Sequence, residues 1–81
     1  MKIKIRYFAL YEELKNKSEE NLTLKNPVNL KSIFLKAMAD FPLKEHYLKA
    51  TLFAINQQYA DPNTVPQDGD EIVFIPPIAG G

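Results

Sequence analysis

Few side chains in this sequence could carry chemistry. There is no cysteine and only one histidine, His46. Disulfide frameworks, thiolate metal sites, iron–sulfur clusters and cysteine nucleophiles are excluded together. A lone histidine supports neither a metal cluster nor a His-paired triad, and His46 is expected at the surface. Asp68 and Asp70 have the spacing that opens a calcium loop, but the twelve-residue ligand pattern is missing. They flank Gly69 and are expected to set a turn, with the glycine supplying a positive φ. Glu12 and Glu13 are adjacent, so on a helix they diverge by about 100° and form no acid–base pair. No nucleophile–base pair is visible, which argues against a free-standing hydrolase. The informative residues are the last six, Pro76-Pro77-Ile78-Ala79-Gly80-Gly81.

Two of the three glycines are the final two residues. At a background of about 7% glycine, a terminal pair arises by chance in roughly 0.5% of chains. Pro76 and Pro77 donate no ladder hydrogen bonds and favour extended geometry, so strand pairing should stop there. Six extended residues reach about 20 Å, which would hold the Gly81 carboxylate clear of the fold. Without Cβ atoms, Gly80 and Gly81 can enter a narrow channel. A carboxylate presented in this way is a group another enzyme can activate. The bland alternative is a frayed terminus that ends in glycine by accident.

The elements that must position this tail fit one small domain. At 81 residues and 9.3 kDa there is room for a single core. Lys2 to Phe8 alternates polar and apolar, a half-buried strand with Ile3, Ile5 and Tyr7 on the core face and Lys4, Arg6 and Phe8 outward. Leu10 and Leu14 at i,i+4 predict a short helix over 9–15. Residues 20–25 alternate again. Leu30, Ile33, Phe34, Ala37, Met38 and Phe41 form a continuous helical stripe, with Asn29 as N-cap and Pro42 as the stop. Residues 43–50 are open between loop and helical turn. Leu52 to Asn56 reads as a third strand, Gln57-Gln58 as a turn into a short return strand, and Asp70 to Ile75 as the last strand. Strands bracketing one main amphipathic helix predict a two-layer α+β domain over 1–75, with an extended tail over 76–81.

Composition narrows the partners. Hydrophobic residues make up 46% and charged residues 25%, ordinary globular values. Ten basic and ten acidic residues cancel, and a nucleic-acid binder would carry a basic total. All ten bases lie at or before Lys49, whereas Asp61, Asp68, Asp70 and Glu71 follow it, giving +4 and −4 segments. The acidic segment would be weakly attracted to a basic protein partner. The basic strand face of Lys2, Lys4 and Arg6 is expected to be solvated. No apolar run approaches the ~20 residues needed to span a bilayer, and no signal segment opens the chain, so a cytoplasmic location is expected.

Asp68-Gly69-Asp70-Glu71, then Ile72-Val73-Phe74-Ile75, then Pro76-Pro77-Ile78-Ala79-Gly80-Gly81 resembles the C-terminus of the molybdopterin synthase small subunits, the MoaD family. Tyr7-Phe8-Ala9-Leu10 with Glu12-Glu13-Leu14, and Asn56-Gln57, match it as well, so the resemblance covers the whole chain. It implies the ubiquitin-like β-grasp fold, in agreement with the element order, and it implies a sulfur carrier. An adenylating, ubiquitin-type activating enzyme would use ATP to activate the Gly81 carboxylate. A sulfur donor protein would then convert it to a thiocarboxylate. The tail would enter the large synthase subunit and deliver sulfur to cyclic pyranopterin monophosphate in molybdenum cofactor biosynthesis. The chain itself would bind no cofactor and no metal, and would not be catalytic alone. A heterotetramer with two copies of each synthase subunit is the implied assembly.

By position, the resemblance assigns Phe8, Tyr59 and Ile75 to docking of the activating enzyme, and Pro76, Pro77, Ile78, Ala79 and Gly80 to contact with partners. Strand parity independently places Phe8 and Ile75 outward, whereas Tyr59 could equally complete the core. Ala79 stands where the family commonly has serine or threonine, and Ile78 where it has valine. Ala79 thus lacks a hydroxyl that a partner could bind. Related carriers serving thiamine thiazole synthesis or tRNA or protein modification share the Gly-Gly chemistry. A non-catalytic β-grasp interaction module with an inert tail is the rival from another class.

Overall fold

A computed structural model describes residues 1–77. The period-two pattern of β1 (Lys2–Tyr7) buries Ile3, Ile5 and Tyr7 as expected. β1 pairs antiparallel with β2 (Glu19–Thr23) and parallel with β5 (Glu71–Ile75). β5 pairs antiparallel with β3 (Leu52–Ile55), which forms a hairpin with β4 (Gln58–Ala60). The result is a mixed five-stranded sheet in the order β2-β1-β5-β3-β4. The hairpin turn is Asn56-Gln57, with φ of 49° and 72°, one residue earlier than the turn the sequence places. Two consecutive positive φ values make the primed turn that matches strand twist, and asparagine tolerates the first position well.

The first helix spans the residues 9–15 that the sequence predicts, whereas the second ends earlier than its apolar stripe. In α1 (Ala9–Lys15) the residue sealed in the core is Tyr11, while Leu14 is 44% exposed. The Tyr11 and Thr51 hydroxyls share a hydrogen bond at 2.6 Å, so an aromatic with a satisfied polar tip anchors this helix in the core. α1 ends where Asn16 adopts the left-handed conformation, φ 55°. In α2 (Leu30–Ala37) the Ser32 amide donates to Asn29 Oδ1 at 2.9 Å, the expected cap. Leu30, Ile33, Phe34, Ala37 and Met38 are buried, but the helix stops at Ala37 rather than Phe41. Lys15 Nζ donates to the Ala37 carbonyl at 2.6 Å, and Pro42 disfavours helical angles at Phe41. Phe41 instead packs its ring on Tyr47 of α3 (Lys44–Leu48), with centroids 5.2 Å apart. Replacing the cap, Asn29→Ala, is expected to cost about 1 kcal/mol in a urea titration.

Aromatic rings organise the core between α2 and the sheet. Phe34 stands edge-on to Tyr11, Phe53 and Phe74, with centroids 5.5, 6.0 and 5.1 Å away. At the β2 edge the pairing of Ile5 with Glu20 puts a carboxylate on the core side. The Tyr7 hydroxyl donates to Glu20 Oε1, and Lys15 and Lys17 lie 3.5 and 3.4 Å from the carboxylate. Partial burial pushes the Glu20 carboxyl up, but the Tyr7 hydroxyl and the two ammonium groups together outweigh it. The group is held below its ordinary value. Burial and the accepting carboxylate push Tyr7 well above the usual phenol range. A depressed folded-state value means that Glu20 stabilises the fold above the unfolded carboxyl value, near 4.3. That stabilisation is lost as pH falls from there through the folded value. The urea midpoint should therefore fall as pH drops below about 4.5, and Glu20→Gln should remove part of that dependence.

Candidate docking face and tail root

The core face of the sheet carries Tyr7, Phe74 and Phe53 in register, so their neighbours share the opposite, open face. Arg6, Val73, Ala54 and Tyr59 form one row across four strands, and Ile75 is paired with Leu52 in the next row. Phe8 follows directly after β1 with extended backbone, φ −129° and ψ 154°. It is 46% exposed and lies under the Arg6 guanidinium, 5.9 Å from the ring centroid. Leu52 is 54% exposed and Tyr59 is 77% exposed. The open alternative for Tyr59 thus resolves to the surface. Contiguous exposed apolar side chains of this kind mark an interaction surface.

The three docking residues expected from the sequence do share one face. Phe8 and Ile75 sit together beside the tail root, whereas Tyr59 is two strands from β5, about 10 Å away by strand spacing. Leu52 and Val73 belong to the same surface and were not anticipated. Leu52-Phe53-Ala54-Ile55 is an unbroken apolar run, so only its pairing with β5 reveals which members face out. The basic side chains are solvated as expected: Lys4 pairs with Glu19 at 3.5 Å and Arg6 with Glu71 at 3.9 Å.

β5, the last strand before the tail, is the central strand of the sheet. β5 ends at Ile75, Pro76 is half-buried and Pro77 is exposed. Ile78, Ala79, Gly80 and Gly81 lie outside the described residues. The turn before β5 is built as the sequence predicts. The Lys2 amide donates to Asp68 Oδ1 at 2.6 Å and the Gln67 amide to Asp70 Oδ2 at 2.7 Å, while Gly69 has φ 89°. Asn56 Nδ2 also donates to Asp70 Oδ1 at 3.0 Å, tying the β3–β4 turn to the start of β5. The Asp68 and Asp70 carboxylates thus accept from the chain itself. Among the described residues no His, Asp and Glu group is placed to hold a metal ion, and no helix is long and apolar enough to cross a membrane. His46 is exposed on α3, its ring 5.7 Å from that of Tyr47. Glu12 and Glu13 are exposed as well. The described side chains therefore offer an exposed apolar surface around the end of β5.

Known proteins agree with this architecture. The model of the ThiS family matches residues 5–81. The molybdopterin synthase sulfur carrier subunit of Chlamydomonas reinhardtii is 32% identical over the whole of both chains. The Mycobacterium tuberculosis protein of the same name is 29% identical, over 100% of this chain and 99% of that one. Among solved structures, SAMP1 from Haloferax volcanii superposes with a TM-score of 0.80 at 16% identity, covering both chains fully. The complex of subunits 1 and 2 of the molybdopterin-converting factor from Helicobacter pylori contains a chain with a TM-score of 0.59 at 22% identity, again with full coverage of both. These likenesses give the ubiquitin-like β-grasp fold. With the family model matched from β1 to the last residue, this chain belongs to the ThiS family and is similar along its full length to the molybdopterin synthase sulfur carrier subunits.

Proposed function

We propose that this protein carries sulfur on its C-terminal glycine as the small subunit of molybdopterin synthase. The observation that carries the reading is the placement of the tail root: β5 delivers Pro76 and Pro77 beside an exposed apolar face, and Ile78-Ala79-Gly80-Gly81 follows. A carboxylate is a poor acyl donor because its leaving group would be oxide. Attack of the Gly81 carboxylate on the α-phosphorus of ATP, with loss of pyrophosphate, gives an acyl adenylate whose leaving group is AMP. Hydrosulfide released by the donor protein attacks the acyl carbon and displaces AMP, and loss of the thiol proton leaves a thiocarboxylate. In the large subunit the sulfur passes to cyclic pyranopterin monophosphate, and water restores the carboxylate. Each carrier delivers one sulfur, so the two sulfurs of the dithiolene require two charged carriers.

Within this scheme the chain supplies the reacting group and two enzymes supply the catalytic side chains. Phe8, Tyr59 and Ile75 dock the activating enzyme. The tail from Pro76 to Gly81 enters each active site in turn, where enclosure protects the activated acyl group from bulk water. ATP is bound by the activating enzyme, and two small and two large subunits make the assembled synthase.

Reconstitution tests the reading. The carrier, activating enzyme, sulfur donor, ATP, large subunit and pterin precursor are combined and molybdopterin is measured. Molybdopterin should form with two thiocarboxylates consumed per product. A charged carrier that yields none, yet supplies a thiazole-forming enzyme, would move the protein to the thiamine branch.

A further inference from the structure

Among the described residues four that are not glycine have positive φ: Ala9 at 48°, Asn16 at 55°, Asn56 at 49° and Gln57 at 72°. Asn16 ends α1, and Asn56-Gln57 make the β3–β4 turn. Asparagine tolerates the left-handed region, and a primed hairpin turn demands it. Ala9 has neither explanation. It is exposed, opens α1, and takes left-handed angles that crowd its Cβ against the following carbonyl.

The chain on either side shows why the strain persists. Tyr7 is buried and its amide donates to the Ser18 carbonyl at 2.8 Å, so the end of β1 is fixed. Tyr11 is buried with its hydroxyl on that of Thr51, so the start of α1 is fixed as well. Only Phe8-Ala9-Leu10 is left to turn the strand into the helix. Phe8 gives α1 no side-chain cap; its carbonyl instead accepts the Tyr11 amide at 3.0 Å and the Glu12 amide at 3.4 Å. Those bonds satisfy amides that a helix start leaves open, and they hold Ala9 in its strained angles.

We propose that Ala9 is a positioning residue for docking: its left-handed joint holds the Phe8 ring out on the open face beside the tail root. This role rests on the docking of Phe8 in the sulfur-carrier reading. With both ends of the joint anchored, a change of φ at Ala9 must be absorbed by its neighbours. Leu10 packs against the core, whereas Phe8 is 46% exposed with the Arg6 guanidinium over its ring. The displacement therefore falls on Phe8. An aromatic anchor already held in its docked direction loses less freedom on binding, so a partner binds it more tightly.

Gly81-dependent pyrophosphate exchange by the activating enzyme tests this on the full-length protein, with thermal melting alongside. Ala9→Gly accepts the left-handed angles without the Cβ clash. It should melt about 2–6 °C above the parent and keep the KM for the carrier within about twofold. Ala9→Val cannot take those angles and should raise that KM about fivefold at an unchanged maximal rate. Phe8→Ala should raise it about tenfold, and adding Ala9→Val to Phe8→Ala should change it by less than about twofold. Ala9→Leu, bulky but unbranched at Cβ, takes the place of the valine variant if that one does not fold. A glycine variant that melts at or below the parent overturns the positioning role, because the joint would carry no strain. So does a folded valine or leucine variant with the parental KM, or one whose effect is undiminished without the Phe8 ring. Phe8→Ala with the parental KM removes the docking role of Phe8 and the positioning role together, and leaves the charging of Gly81 standing. A parent chain that supports no exchange contradicts the sulfur-carrier reading itself.

Discussion

Deletion of Gly81 alone is expected to reduce sulfur transfer by at least about 100-fold while the fold survives unchanged. The deletion leaves a C-terminal carboxylate on Gly80, so chemistry of the right type is still present but about 3.5 Å short of its place. Displacements near 1 Å can already cost about 100-fold when a reacting group must sit in line with an activated partner. Nothing in the core depends on the deleted residue: the last strand ends at Ile75, and the innermost side chains of β5 are Ile72 and Phe74. Melting should therefore shift by less than about 4 °C, since surface and terminal changes stay within about 0.5 kcal/mol. An inert-tailed interaction module would behave oppositely and keep all its binding. Activity assays and a melting curve on the same preparation separate the two.

The largest stability effect is expected at Phe34. Its ring meets Tyr11 from α1, Phe53 from β3 and Phe74 from β5, so a single side chain ties three elements to α2. It is fully buried. Truncation to alanine removes the transfer energy of the ring and leaves a cavity that rigid β-strands cannot collapse, a cost of about 3–5 kcal/mol. A chain of this length has only about 4–12 kcal/mol to lose. Phe34→Ala should therefore move the urea midpoint far below that of the parent and bring a measurable unfolded fraction at 37 °C. Phe34→Leu, which keeps most of the volume, should cost much less. A midpoint for Phe34→Ala within experimental error of the parent would show that the aromatic cluster is not the centre of the core.

What could be read in advance was local. The alternation in β1 fixed the inward set of Ile3, Ile5 and Tyr7 and the outward turn of Phe8, because side-chain direction along a strand depends on parity alone. Asn29 and Gly69 declared a helix start and a turn through their own backbone chemistry. Elements that depend on distant residues were harder. Tyr11 is sealed in the core with its hydroxyl on that of Thr51, forty residues away in the chain. α2 stops short of Phe41 because Lys15 of another helix takes the Ala37 carbonyl. Leu52 joins the docking face because β3 happens to pair with β5 in one register and not the next.

The central claim is that Gly81 carries sulfur, and intact mass measures it most directly. The protein is isolated after co-expression with an activating enzyme and its sulfur donor, and its C-terminal peptide is sequenced by fragmentation. A fraction of the chains should gain the mass of one sulfur in place of one oxygen, localised to Gly81, and this species should disappear when the large subunit and pterin precursor are added. An unchanged mass in the presence of an activating enzyme that charges another carrier in the same cells would contradict it.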